Sequence, residues 1–121
     1  MSKRILVVED HEDNRQILRD LLTSVGYDML EAKDGEQGVA AAAAERPDLI
    51  LMDIQLPILD GYEATRRIKS DPELRAIPII VVTSYALSGD EDKARAAGCD
   101  AYVAKPYSPR QLLARIREFL Q

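Results

Sequence analysis

Glu9, Asp10, Asp53, Thr83 and Lys105 are the residues of this chain whose types and spacing could do chemistry together. Each cluster follows a short apolar run. Ile5-Leu6-Val7-Val8 leads into Glu9-Asp10, and Leu49-Ile50-Leu51-Met52 into Asp53. Ile79-Ile80-Val81-Val82 leads into Thr83, and Ala101-Tyr102-Val103-Ala104 into Lys105-Pro106. If the runs are parallel strands, their C-terminal ends share one edge of a sheet, where open α/β folds bind ligands. Carboxylates, a hydroxyl and an ammonium then converge. An aspartate is ionised at neutral pH and can attack phosphorus to form an acyl phosphate. Its acidic neighbours would repel an anionic phosphoryl donor. Mg²⁺ prefers oxygen ligands and offsets that repulsion. Asp10 and Asp53 can each give one oxygen, and a backbone carbonyl near Gln55 a third. Lys105 supplies positive charge to the transferring oxygens and Thr83 a hydrogen-bond donor. Phosphoryl transfer needs little beyond such positioning and charge neutralisation.

Taken singly, each residue is ordinary. Acidic residues such as those of Glu9-Asp10-His11-Glu12-Asp13 suit a first helical turn, where they complement the helix dipole. Thr83 suits a strand, and Lys105-Pro106 a turn. The common placement at strand ends is what points to a site.

The elements that must position them follow from periodicity. Short apolar runs alternate with helical segments, the pattern of βαβ units. Strands are predicted over Arg4 to Glu9, Tyr27 to Ala32, Leu49 to Met52, Ile79 to Thr83 and Ala101 to Ala104. The first helix carries Ile17, Leu18, Leu21, Leu22 and Val25 as its expected inward face and stops at Gly26. Asp34 with Gln37 opens an alanine-rich second helix to Glu45. A third helix spans Tyr62 to Lys69. Ser88 with Glu91 opens a fourth, ending at Gly98; it has few large apolar residues and is expected to be the least firmly anchored. Ser108-Pro109-Arg110-Gln111 combines a serine cap, a proline at the first helical position and a capping-box glutamine. That last helix is expected to bury Leu112, Leu113, Ile116, Phe119 and Leu120. Five such units make the expected fold class α/β, a doubly wound parallel sheet of five strands with five helices.

Composition bounds the function. The 121 residues suit one domain, and the hydrophobic share of 46% argues against disorder. A net charge of −5 argues against direct nucleic-acid binding, which wants a basic stripe. The lone Cys99 excludes an internal disulfide or a cysteine metal cluster and suits a small core position. His11, the only histidine, stands beside acidic residues, a poor zinc set, and reads as an exposed loop side chain. The N-terminal apolar run is too short for a signal peptide or a membrane span, so a soluble cytoplasmic protein without a second domain is expected.

Several stretches together carry a family resemblance. They are Ile5-Leu6-Val7-Val8-Glu9-Asp10, Pro47-Asp48-Leu49-Ile50-Leu51-Met52-Asp53-Ile54-Gln55-Leu56-Pro57, Asp60-Gly61, Pro78-Ile79-Ile80-Val81-Val82-Thr83 and Gly98-Cys99-Asp100-Ala101-Tyr102-Val103-Ala104-Lys105-Pro106. The chain resembles the receiver domain of bacterial two-component response regulators over essentially its full length, 1–121. The nearest type is the stand-alone regulator with no output domain. The resemblance implies the strand order 2-1-3-4-5 of the flavodoxin-like, CheY-like architecture, and that Asp53 is the phosphoacceptor. It makes Glu9 and Asp10 the acidic pair around Mg²⁺, for which Mn²⁺ would substitute, and gives the Gln55 carbonyl as a further ligand. It makes Thr83 the hydroxyl that moves toward the phosphoryl group, Lys105 its ion-pair partner and Tyr102 the switch aromatic. A cis Lys105–Pro106 bond is also implied. Gln55 and Tyr85 occupy positions that influence phosphoryl lifetime, and Ser84 stands where a small alanine is frequent.

The implied function is a phosphorylation switch rather than a turnover enzyme. A histidine kinase or a histidine phosphotransfer protein is the implied donor. The implied output surface is the fourth helix, fifth strand and fifth helix, in a monomer or weak dimer. Other classes compete. A Mg²⁺-dependent phosphohydrolase with an aspartyl nucleophile usually has a second acid two residues after it, where this chain has Gln55. A flavodoxin-like mononucleotide binder would want a Ser/Thr/Gly-rich loop after the first strand, where this chain has Glu9 to Asp13. A degenerate receiver acting as a scaffold would lack some of the site residues.

Overall fold

The computed structural model describes residues 2–83 and 90–120. Five strands, β1 (Arg4–Val8), β2 (Asp28–Ala32), β3 (Leu49–Asp53), β4 (Ile79–Thr83) and β5 (Ala101–Ala104), alternate with five helices. The helices are α1 (Glu12–Ser24), α2 (Gly35–Glu45), α3 (Gly61–Ser70), α4 (Asp90–Ala96) and α5 (Pro109–Leu120). The strands form one parallel sheet in the order β2-β1-β3-β4-β5, as the sequence leads one to expect.

The unbroken apolar runs are explained by burial on both faces of the sheet. Leu6, Val8, Ile50, Met52, Ile79 and Val81 pack on one side with Ala42 of α2 and Ile68 of α3. Ile5, Val7, Leu49, Leu51, Ile80 and Val82 pack on the other with Leu18 and Leu22 of α1 and Leu112 and Ile116 of α5. Two apolar layers thus clamp the strands whose C-terminal ends carry the site.

Helix starts follow local chemistry. Gln37 N–H donates to Asp34 Oδ1 at 2.8 Å, and the Gln37 side chain accepts from Lys33 N–H. The Ser108–Gln111 box closes in both directions. Asp60 caps α3 by accepting from Glu63 N–H at 2.9 Å, a cap the sequence reading did not single out. The Ser88 cap expected for α4 lies outside the described residues, as do Ser84 and Tyr85. Among the described residues α4 is held by small side chains, with Ala94 fully buried and Ala97 just beyond its end.

The inward face of α1 needs correction. Ile17 is 61% exposed and Val25 39% exposed, so neither belongs to the core. The buried stripe is Arg15, Leu18 and Leu22, spaced i, i+3, i+7. Arg15 is inward because its guanidinium finds carboxylates and a carbonyl there, and that placement rotates Ile17 out. On α5 the expected face is graded: Leu112 and Ile116 are fully buried, and Leu113, Phe119 and Leu120 only half-buried.

One buried group is unsatisfied. Thr65 Oγ1 on α3 is buried with no hydrogen-bond partner. An orphaned buried hydroxyl costs about 1–3 kcal/mol. Thr65→Val keeps the shape and removes the polar atom. It should therefore raise the unfolding free energy by about 1 kcal/mol in a urea titration, at unchanged m-value.

Candidate functional site

The parallel register brings the strand ends together. Val8 pairs with Met52, Asp53 with Val82, and Thr83 with Ala104, so Glu9, Asp53, Thr83 and Lys105 lie along one edge. The contacts are direct. Lys105 Nζ donates to Glu9 Oε1 at 3.2 Å and lies 3.6 Å from Asp53 Oδ2. Lys105 is in turn placed by its backbone, whose N–H donates to the Thr83 carbonyl at 2.6 Å. The Lys105–Pro106 bond is cis.

Glu9 is 3% exposed. Its carboxylate is held from several sides. Oε1 accepts from Asn14 Nδ2 at 3.0 Å as well as from Lys105, and Oε2 accepts from His11 N–H at 3.2 Å. Its backbone is fixed too: its N–H donates to Ala32 on β2, and its carbonyl accepts from Arg15 Nη1 at 2.9 Å. Arg15 also binds Glu31 and Glu12, tying α1 to β2. Asn14 and Arg15 were missed in the sequence. The signal for Arg15 was its place on the Leu18–Leu22 stripe; no comparable signal marks Asn14.

Asp53 ends β3, with its side chain 12% exposed. Its Oδ1 accepts from Gln55 N–H at 3.3 Å. The following loop is tight. Leu59 N–H donates to the Pro57 carbonyl around Ile58, whose φ is 71°, a strained setting for a β-branched residue. Gly61 then passes so close that a Cβ there would lie 2.0 Å from the Asp53 carbonyl oxygen. Glycine at 61 is what lets α3 begin against the end of β3.

The two carboxylates titrate in opposite directions. Burial alone would push Glu9 up, but the His11 N–H and the Lys105 ammonium hold it down at about 2. Burial pushes Asp53 up to about 6; Lys105 opposes that, while the negative charge of Glu9 adds to it. Burial works against the charge on Lys105, but Asp53 and Glu9 raise its pKa above the usual value.

Asp10 is the residue with a vacant valence. Its Oδ1 is buried without a hydrogen-bond partner, although His11 Nδ1 approaches to 3.1 Å without making a hydrogen bond to it. His11 itself is 70% exposed. Asp10, Glu9 and His11 bring ligand atoms within 4.8 Å of one another, and a carboxylate oxygen without a hydrogen-bond partner in that acidic group fits a hard divalent cation with oxygen ligands, and so fits magnesium. Thr83 is fully buried at the end of β4. Tyr102 is half-buried on β5 and packs against the core on the α2–α3 face. The Gln55 side chain is exposed.

A doubly wound α/β domain with an acidic, lysine-bridged site at its strand ends defines a class, the phosphoacceptor signalling modules. The chain belongs to the response regulator receiver domain family, whose model matches residues 5–117. It is 44% identical over 120 residues to the polar-differentiation response regulator DivK of Brucella anthropi, covering 99% of this chain and 98% of that protein. Among solved structures it is similar to the receiver domain of a sensor histidine kinase of Pseudomonas aeruginosa, with TM-score 0.92 and 39% identity over 99% of this chain and 98% of that one. That structure is described with a magnesium ion coordinated in its active-site cleft. It is also similar to the Vibrio cholerae chemotaxis protein CheY4, with TM-score 0.91 and 25% identity over 98% of this chain and 99% of that one. Receiver domains take phosphoryl groups from histidine kinases. No helix among the described residues is long and apolar enough to cross a membrane.

The raised pKa of Asp53 has a stability consequence. The folded protein binds this proton more tightly than the unfolded chain, whose aspartate titrates near 3.8. Above pH 6 the residue is charged in both states and the buried charge is destabilising. As pH falls through 6 toward 4 the folded state takes up the proton and the penalty fades. Asp53→Asn in metal-free protein should therefore raise stability by about 2 kcal/mol at pH 7.5. The gain should be largely lost by pH 4, as read by thermal melts in EDTA across that range.

Proposed function

We propose that this protein is a single-domain phosphorylation switch in which Asp53 accepts a phosphoryl group from a histidine of a kinase or phosphotransfer protein. The observation that carries the reading is the Lys105 ammonium placed between Glu9 and Asp53. The Asp53 carboxylate forms the new O–P bond as the bond between phosphorus and the donor imidazole nitrogen breaks. Held by Glu9, Asp10, Asp53 and the Gln55 carbonyl, magnesium (or manganese in its place) would supply countercharge to the transferring oxygens. Lys105 contributes the remaining fixed charge.

The added phosphoryl charge, about −1.5 to −2, gives the Thr83 hydroxyl a new acceptor. Thr83 is fully buried and shares the strand end with Lys105, so its movement leaves space on the β5 side. Tyr102 then turns inward, and the surface of α4, β5 and α5 changes its affinity for a downstream protein. A modification shifts such an equilibrium only by its differential interaction with the two states. The small side chains that anchor α4 make it the natural element to move. The protein acts in the cytoplasm as a monomer or weak dimer, and its only catalysis is its own phosphorylation and dephosphorylation.

Incubation with acetyl phosphate and Mg²⁺ should label the wild type stoichiometrically, and Asp53→Asn should remove the label entirely. Lys105→Ala should retain Asp53 but lower the labelling rate by at least about tenfold, since a charge contact of this kind is worth several kcal/mol at a phosphoryl-transfer site. Sustained multiple turnover of small phosphate esters by the wild type would instead mark the protein as a phosphohydrolase.

A further inference from the structure

Glu9 Oε1 is shared. It accepts from Lys105 Nζ at 3.2 Å and from Asn14 Nδ2 at 3.0 Å, and the two donors belong to opposite sides of the site. Lys105 follows β5, whereas Asn14 sits in the first turn of α1, whose Leu18 and Leu22 are locked in the core. Between them lies a cavity of about 590 Å³ that Glu9, Asn14, Lys105 and Tyr107 line together with Ile17 and Pro109. The asparagine is anchored on a helix packed into the core.

The proposed chemistry, on which this inference rests, asks Lys105 to serve two anions. Its ammonium is 3.2 Å from Glu9 and 3.6 Å from Asp53 before any phosphoryl group arrives. A phosphoryl group on Asp53 carries more negative charge than the carboxylate it replaces and draws the ammonium away from Glu9. Glu9 is 3% exposed, and a water entering from the adjoining cavity would put a neutral donor where a charged one had been. Removing a partner from a buried charge costs far more than the pair itself contributed. His11 N–H serves the other oxygen, Oε2. Asn14 is the remaining donor to Oε1 in the structure.

We propose that Asn14 is a positioning residue that retains Glu9 Oε1 when Lys105 turns to the phosphoryl group, and so lowers the cost of the phosphorylated state. Being neutral, Asn14 can stay on the carboxylate without competing with Lys105 for the phosphoryl oxygens. Its contribution is largest when the lysine leaves.

The test compares Mg²⁺ binding with binding of beryllofluoride, an aspartyl-phosphate mimic, in the full chain by calorimetry. Asn14→Leu keeps the side-chain size and deletes the donor. It should leave the Mg²⁺ dissociation constant within about threefold of wild type and weaken the beryllofluoride complex by about tenfold or more, the range for a hydrogen bond to a buried charge. Asn14→Gln, which retains the amide donor on a flexible side chain, should recover most of that loss and shows that the effect is not one of folding. Equal weakening of both ligands, no weakening of either, or no recovery in Asn14→Gln would overturn the proposal. If wild-type protein failed to bind beryllofluoride, the phosphoacceptor reading itself would fall, a result distinct from any difference among the Asn14 variants.

Discussion

One ammonium shared between two buried carboxylates is the interaction on which the rest depends. Lys105 lies within ion-pair distance of both Glu9 and Asp53. Two acids so close and so poorly solvated would not both stay ionised without it. The ammonium has to be brought to them across the sheet, and that requirement explains much of the architecture. β1 brings Glu9, β3 brings Asp53, and the Thr83 carbonyl at the end of β4 fixes the backbone of Lys105. The two apolar layers keep the strand ends in register, so the charges meet at fixed separations.

The same interaction makes the site unequal. Glu9 has its full complement of donors and stays charged well below neutral pH. Asp53 has fewer partners and bears the repulsion of Glu9. Of these two, the carboxylate under greater stress is also the more exposed, its side chain 12% accessible against 4% for Glu9, and approach of a cation would relieve that stress. The tight Pro57–Leu59 turn and the close pass of Gly61 hold the end of β3 firmly. In the proposed switch, the change would then pass to Thr83, Tyr102 and the lightly anchored α4.

Much of this was legible in the sequence, for an identifiable reason. In a parallel sheet, position along the chain maps onto position at the edge, so apolar runs ending in Asp53 or Lys105 announce both element and site. Caps at Asp34 and Ser108 were readable because a cap is local. What escaped was lateral. Asn14 and Arg15 act on Glu9 from the side of a helix, and hydrophobic period alone assigned Ile17 inward where Arg15 belongs. Lys69 was equally silent: its ammonium reaches the carbonyls of Arg75 and Ile77 and the Asp100 carboxylate, which also accepts from Ile79 N–H and so ties α3 to the N-terminal ends of β4 and β5. Such polar partners are set by three-dimensional proximity, and no linear spacing encodes them.

The central claim is that the carboxylate of Asp53 carries the phosphoryl group. The most direct measurement is to phosphorylate the protein in the presence of Mg²⁺, reduce the acyl phosphate with borohydride and locate the reduced residue by peptide mass mapping. The account predicts conversion at Asp53 alone. Conversion at Asp10 or another carboxylate, or stable label at His11 with none at Asp53, would contradict it.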